Sequence, residues 1–299
     1  MNIFQRTSSY WVKYGKYVIQ ENAVGERFIT PSPKAKPKVY NPLENAEAMI
    51  ISALNVGMLA MKRTKESELQ QAVLDFVHEY GLLGFMTALP ATPHFLDYKT
   101  VFLPKNHHIK TETISTQDYI DIFFPFRKPD FRKDERTAQW NISNDRDMMA
   151  LAMTFADKPM ALNMCIGRDY AEPLDWLVKQ FKDWAFTFSG AFLYYNDYEN
   201  LDKLTLDLYR QGVAAFGGIA PTYHIELADK KPTVVWDFHS LLLAIQTMFS
   251  FMLTDDKKPL RLCKRYAKVF KAGHVNSAFC GADCKNKHNV YKSRGNSSN

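Results

Sequence analysis

At 299 residues, 46% of them hydrophobic and 14% aromatic, the chain is long enough for one large domain or two modest ones and rich enough to bury a core, which excludes a disordered protein. The net charge of +6 is unevenly placed: residues 257–299 hold eleven Lys or Arg against the single acidic Asp283, so that end carries +10 and the preceding 256 residues −4. A strongly basic end on a mildly acidic body suits a polyanion partner, or else a solvated end that keeps the protein in solution.

The first residues, MNIFQRTSSYWVKYGKYVIQ, lack the charged start, apolar run and small-residue cleavage site of a secretion signal. The longest apolar run, LLLAIQTMFSFML at 241–253, is shorter than the ~20 residues a membrane span needs and carries Gln246, Thr247 and Ser250. It reads as a buried helix of a soluble, cytoplasmic protein with no membrane partner. Four cysteines in such a chain do not suggest a disulfide framework.

In chain order, SYWVKYGKYVIQ is aromatic and β-branched and predicts a strand or hairpin. The four prolines of TPSPKAKPKVYNP predict a loop or extended arm. Helices follow in NPLENAEAMIISALNVGMLAMK and in ESELQQAVLDFVHEYG, where Leu69, Val73, Phe76, Val77 and Tyr80 recur at helical spacing and Gly81 is a stop. LLGF and YKTVFLP read as short buried segments, the latter as a strand. YIDIFFPFRKPDFRKDER interleaves Phe124, Phe126 and Phe131 with Arg127, Lys128, Arg132 and Lys133. That mixture would suit single-stranded nucleic acid. Its two prolines and the acidic Asp134 and Glu135 fit better with a surface loop anchored by phenylalanines.

From Glu172 to Arg210 the pattern is helical, with Leu174, Leu177, Val178, Phe181, Ala185 and Phe188 on one face and Pro173 near the start. Tyr223, Ile225 and Leu227 then alternate with His224 and Glu226, ADKKP turns, and TVVW returns, which predicts a hairpin. Leu241, Leu242, Ile245, Met248, Phe249 and Met252 make the last buried helix.

The body offers no familiar catalytic constellation: no His-Glu-x-x-His helix, no Gly-x-Ser-x-Gly turn and no phosphate-cradling loop ending in Lys-Ser/Thr. Adjacent His107 and His108 point apart and read as surface residues. His78 reads as a solvated residue on a helix flank, Asp237 of WDFH as a helix cap, and Cys165 in ALNMCIG as a small hydrophobe. The sequence therefore assigns no catalytic residue and reads away from an enzyme.

The chemistry concentrates in LCKRYAKVFKAGHVNSAFCGADCKNKHNVYKSR. Sixteen residues separate Cys263 from Cys280, and three separate Cys280 from Cys284. Zinc takes four tetrahedral Cys or His ligands, which small fingers supply as two close pairs joined by a loop. Cys280 and Cys284, four apart at a helix start among basic residues, form one pair, and the helix N-terminus favours thiolate. The first pair is incomplete, because Tyr266 stands three after Cys263, where a second cysteine would lie. His274 in the intervening loop is the preferred fourth ligand, and His288, one turn beyond Cys284, is the alternative. One zinc per chain is expected; a finger held by Phe270, Phe279 and Tyr291 without metal is the rival.

Preceded by VVWDFHSLLLAI and TDDKKPLRL, this segment resembles, over about residues 233–294, the C-terminal end of CGNR-type zinc-finger proteins. Those are bacterial proteins inferred to be stress-induced transcription regulators with an α/β domain before the finger. The resemblance implies that Cys263, Cys280 and Cys284 occupy the family's metal positions. Tyr266 replaces one ligand, and Lys285-Asn286-Lys287 stands in place of Gly-Asn-Arg.

The expectation is thus an α+β, mainly helical protein with a small treble-clef-like zinc module. Its parts are an N-terminal strand or hairpin and Pro-rich arm at 1–40, a mixed body at 41–256, the module at 257–292 and a disordered tail at 293–299. The module would dock on nucleic-acid phosphates through Lys264, Arg265, Lys268, Lys271, Lys285, Lys287, Lys292 and Arg294. The body would sense a small-molecule ligand or form a homo-oligomer. The alternative is a structural or protein-interacting finger, with ligand binding or enzymatic function in the body.

Overall fold

The computed structural model describes residues 7–8, 10–62, 64–88, 98–102, 113–128, 167–214, 216, 221–228, 231–255, 257, 259–274 and 276–296. The fold is mixed α+β and mainly helical. Among the described residues the strands and helices are, in chain order, β1 (Thr7–Ser8), β2 (Trp11–Tyr14), β3 (Tyr17–Glu21), β4 (Arg27–Pro31), β5 (Pro37–Tyr40), α1 (Ala46–Met61), α2 (Glu66–Tyr80), α3 (Phe85–Ala88), β6 (Thr100–Phe102), β7 (Thr113–Ser115), α4 (Thr116–Phe123), β8 (Glu172–Pro173), α5 (Leu174–Asn196), α6 (Lys203–Ala214), β9 (Thr222–Ala228), β10 (Lys231–Asp237), α7 (Leu241–Leu253), β11 (Leu260–Leu262), β12 (Val269–Lys271) and α8 (Ala282–Asn296). The chain divides into two compact units. One holds residues 1–45, 70–177 and 218–245; the other holds residues 46–69, 178–217 and 246–299.

The first unit is built on small sheets. SYWVKYGKYVIQ forms two strands, as its aromatic and β-branched composition predicts, but they do not pair with each other. β2 pairs antiparallel with β5, and β3 pairs antiparallel with β4, which in turn pairs with β8. The Pro-rich arm is therefore not a loop throughout. Pro37 opens β5 opposite Tyr14, a strand-end position where its missing N–H is tolerated, and the following Lys38, Val39 and Tyr40 complete the ladder. Gly81 ends α2 at φ 88°, and a Cβ there would lie 2.7 Å from the Val12 carbonyl oxygen. LLGF is buried as expected, with Trp11 donating its indole N–H to the Leu82 carbonyl at 2.9 Å.

Glu172 is fully buried behind LLGF. Oε1 accepts the Gly84 and Phe85 N–H groups and the Tyr170 hydroxyl, and Oε2 accepts the Leu83 N–H. Phe123 stacks on Tyr170 at 5.8 Å, and Phe85 meets Trp176 edge-on at 5.8 Å. YIDIFFPFRK supplies α4 and then anchors itself: Phe124 is buried and Phe126 meets Phe28 edge-on at 5.7 Å. The rest of that segment, with Phe131, Arg132 and Lys133, lies outside the described residues, as do His107, His108 and Cys165.

β9 and β10 form the predicted hairpin, with Tyr223 opposite Trp236 and Ile225 opposite Val234. Asp229 and Lys230 of its ADKKP turn lie outside the described residues. Asp237 is not the cap of α7. Ser240 is, its hydroxyl accepting the Leu243 N–H at 3.1 Å, while Asp237 ends β10 and binds His224 at 2.7 Å. His78 is half-buried rather than solvated, its Nε2 meeting the Tyr17 carbonyl at 3.2 Å.

In the second unit α1 and α5 carry the core. Met49, Ile50, Ala53 and Leu54 of α1 are buried, as are Phe181, Trp184, Ala185 and Phe188 of α5. The two helices meet at Gly57, where a Cβ would lie 2.0 Å from the Phe181 carbonyl oxygen. The unit also contains the β11–β12 hairpin and α8. α8 runs to Asn296, so residues 293–296, expected to be disordered, are helical. Within α8 no proline occurs, and its one glycine, Gly295, stands next to the last helical residue.

Candidate metal centre

β11 and β12 pair antiparallel with Leu262 opposite Val269, which leaves residues 263–268 to turn. The Cys263 N–H donates to the Lys268 carbonyl at 2.9 Å, and the Ala267 N–H donates to the Cys263 carbonyl at 2.8 Å. Ala267 takes φ 49°, the one positive φ at a non-glycine position among the described residues. This left-handed corner turns Cys263 inward beneath its own backbone and buries it to 1% exposure. Tyr266, immediately before the corner, is 43% exposed.

The chain then folds back. Lys264 N–H donates to the Ala278 carbonyl at 3.0 Å, which brings the segment before Cys280 against the hairpin turn. Cys280 sits just before α8 and Cys284 in its first turn. The result is a cluster in which the Cys263, Cys280 and Cys284 sulfurs all lie within 4.8 Å of one another, with Cys280 and Cys284 at 3.1 Å. Sulfurs on a tetrahedral ion with bonds of about 2.3 Å lie about 3.8 Å apart, inside this range.

The electrostatics are asymmetric. Burial opposes ionisation of Cys263, but the backbone N–H groups of Cys280, Tyr266 and Arg265, together with the Cys280 side chain, outweigh it and hold the thiol at about 7. Cys280 is pushed up to about 12, first by the Cys284 side chain, then by burial and by Cys263. Without a cation, three sulfurs this close do not ionise together. A divalent ion would remove that conflict and is the chemistry the donor set fits.

His274 and His288 do not join the cluster. His274 is exposed, and the His288 ring lies 5.1 Å from that of Phe279. Among the described residues the cluster offers three side chains that could ligate a metal.

The basic residues separate into groups. Lys264, Lys268, Lys285 and Lys287 are exposed. Lys271 forms an ion pair with Glu47 of α1. Arg265 lies over two rings, 5.2 Å from the Tyr266 centroid and 4.6 Å from that of Tyr291. Lys292 and Arg294 lie on α8.

Sequence reasoning missed what fixes the hairpin in place. Asn55 of α1 holds both backbone groups of Val269, Lys62 donates to the Tyr266 carbonyl at 3.3 Å, and Arg261 donates to Asn196 at 2.9 Å. These partners are far apart in sequence and leave no local signal.

In the first unit a cleft of about 700 Å³ is lined by Arg27, Phe28, Asp118, Asp121, Lys128 and Trp176, among others. Its cations are matched internally, Lys128 with Asp121 and Arg27 with Asp175 at 3.9 Å.

Fold and site together define a mixed α+β protein with a three-cysteine centre that could hold a metal. No family model, curated protein or solved structure matches the chain. No helix among the described residues is long and apolar enough to cross a membrane.

Proposed function

We propose that residues 257–296 are a zinc-stabilised, finger-like module that docks the protein on nucleic-acid phosphates, and that the protein is regulatory, as the resemblance to CGNR-type proteins implies. The observation that carries this reading is the convergence of three cysteine sulfurs, from a hairpin turn and a helix start, inside the strongly basic part of the chain. Cys263, Cys280 and Cys284 would hold one zinc per chain, which supplies fixed geometry rather than chemistry. The role of the protein's own residues is positional. The β11–β12 turn offers Lys264 and Lys268, and α8 offers Lys285 and Lys287, on one metal-tied frame. Lys271 is engaged with Glu47 and contributes less to docking than its charge suggests.

The test is nucleic-acid binding by full-length, metal-loaded protein across a salt series. Binding should weaken steeply with salt, and replacing Lys264, Lys268, Lys285 or Lys287 with Gln should each lower the salt slope by about one. Replacing Lys271 should change it little. Absence of any salt-dependent binding would refute the reading.

A further inference from the structure

We propose that Tyr266, Arg265 and Tyr291 form a stacking platform for an unpaired base, so that the polyanion this module prefers is single-stranded nucleic acid. The inference rests on the nucleic-acid reading above and specifies its substrate class.

The three side chains come from two elements. Arg265 and Tyr266 lie in the β11–β12 turn, and Tyr291 lies on α8. The Arg265 guanidinium reaches both rings, 5.2 Å from the Tyr266 centroid and 4.6 Å from the Tyr291 centroid. Among the described residues its partners are these two tyrosines and no carboxylate. Both rings remain open to solvent, at 43% and 67% exposure. Two large exposed aromatics fixed by a cation lose little further freedom when a flat ligand stacks on them.

The surroundings select the ligand. Lys264, Lys268, Lys285 and Lys287 are exposed in the same two elements, and the whole segment carries +10. An exposed aromatic pair on elements that also expose lysines matches a strand whose bases are free and whose backbone is charged. A duplex could engage the lysines, but each of its bases already has both faces covered by neighbours, so the platform would go unused.

Tyr266 has a particular place in this scheme. It occupies the position three after Cys263 where a four-ligand finger would carry a cysteine, and its ring is turned to solvent beside Arg265 instead of joining the sulfur cluster. The position without a ligand is thus itself part of the platform. Tyr291 lies seven residues beyond Cys284 and so on the same helical face. The cysteine centre therefore ties together the two elements that build the platform.

The experiment is fluorescence anisotropy with full-length, metal-loaded protein, comparing a labelled single strand of about 12 nucleotides with a duplex of equal length. Tyr266→Ala and Tyr291→Ala are compared with Tyr266→Phe and Tyr291→Phe, and metal content and melting confirm that each variant is folded. The single strand should bind more tightly than the duplex. Each Ala variant should lose about 5- to 150-fold on the single strand, the span implied by stacking on one base, with the salt slope and duplex binding unchanged. The Phe variants should match wild type. Ala variants that bind the single strand as wild type does, or that lose equally on duplex, would overturn the platform and leave phosphate docking intact. Failure of wild type to bind either probe would overturn both.

Discussion

Asn55 of α1 grips the backbone of Val269 with both ends of its carboxamide. Its Oδ1 accepts the Val269 N–H at 2.8 Å and its Nδ2 donates to the Val269 carbonyl at 3.1 Å. This imitates a strand partner for β12, the strand that follows the cysteine-bearing turn. Together with the Lys271–Glu47 pair and the bonds from Lys62, it makes the hairpin part of the α1 surface rather than an appendage on a flexible lead. Asn55→Ala should therefore cost about 1–3 kcal/mol of unfolding free energy, and should weaken metal affinity because the turn holding Cys263 is no longer anchored. Denaturant titration and competition with a chromophoric chelator would measure the two effects. Unchanged values in both would show that the anchor is incidental.

Gly57 offers a test of sign. At an exposed helix site, Gly→Ala stabilises by up to about 1 kcal/mol. Here the new Cβ would lie 2.0 Å from the Phe181 carbonyl oxygen and 2.7 Å from the Ala185 Cβ, and neither is the free end of a flexible side chain. Gly57→Ala should destabilise by about 1–3 kcal/mol or more by forcing α1 from α5. A thermal melt at or above the wild-type midpoint would show that the helices do not cross this closely.

Glu172 should matter to folding of the first unit. Three backbone N–H groups and the Tyr170 hydroxyl converge on its carboxylate. Glu172→Gln puts an NH₂ where an acceptor is needed and should cost about 1–3 kcal/mol. Burial lifts this carboxyl above its ordinary 4.5, with the Tyr170 and backbone hydrogen bonds opposing. A raised carboxyl is protonated more readily in the folded than in the unfolded chain. Its contribution is complete below 4.5 and is lost as pH rises through the folded value. The difference in stability between wild type and Glu172→Gln should vary over that window and be constant above it. A difference independent of pH would contradict the assignment.

His224 is flanked on the β9–β10 hairpin by Glu226 at 3.0 Å and Asp237 at 2.7 Å. Glu226 first, then Asp237, raise its imidazole above the usual 6.5. The stabilisation is full below 6.5 and fades as pH rises through the folded value. NMR titration of the imidazole should give a midpoint above 6.5, moved down by Glu226→Gln and by Asp237→Asn. A wild-type midpoint at or below 6.5 would mean that the carboxylates do not reach it in solution.

How legible these features were depended on how local their signals are. Helical spacing placed α1, α2, α5 and α7, because one apolar face recurs within each segment. Alternation placed β9 and β10. β5 is hidden in the sequence because the prolines of its segment read as breakers, whereas Pro37 needs only to stand at a strand's first position. The cysteine pair four residues apart was plain in the sequence, and so was its candidate partner Cys263. Asn55 and Glu172 were not, because their backbone partners are 214 and 87–89 residues away and a buried carboxylate has no sequence signature. In the sequence Tyr266 reads only as an absent ligand. Its pairing with Arg265 and Tyr291 requires the turn and α8 to be brought together, which only the fold does.

The most direct test of the central claim is the metal content of purified, untagged protein by mass spectrometry, beside a Cys280→Ser, Cys284→Ser variant. Wild type should hold about one zinc per chain and the variant none, as expected for a thiolate-held structural ion. Metal-free wild-type protein that is fully folded and still binds single-stranded nucleic acid would contradict the claim.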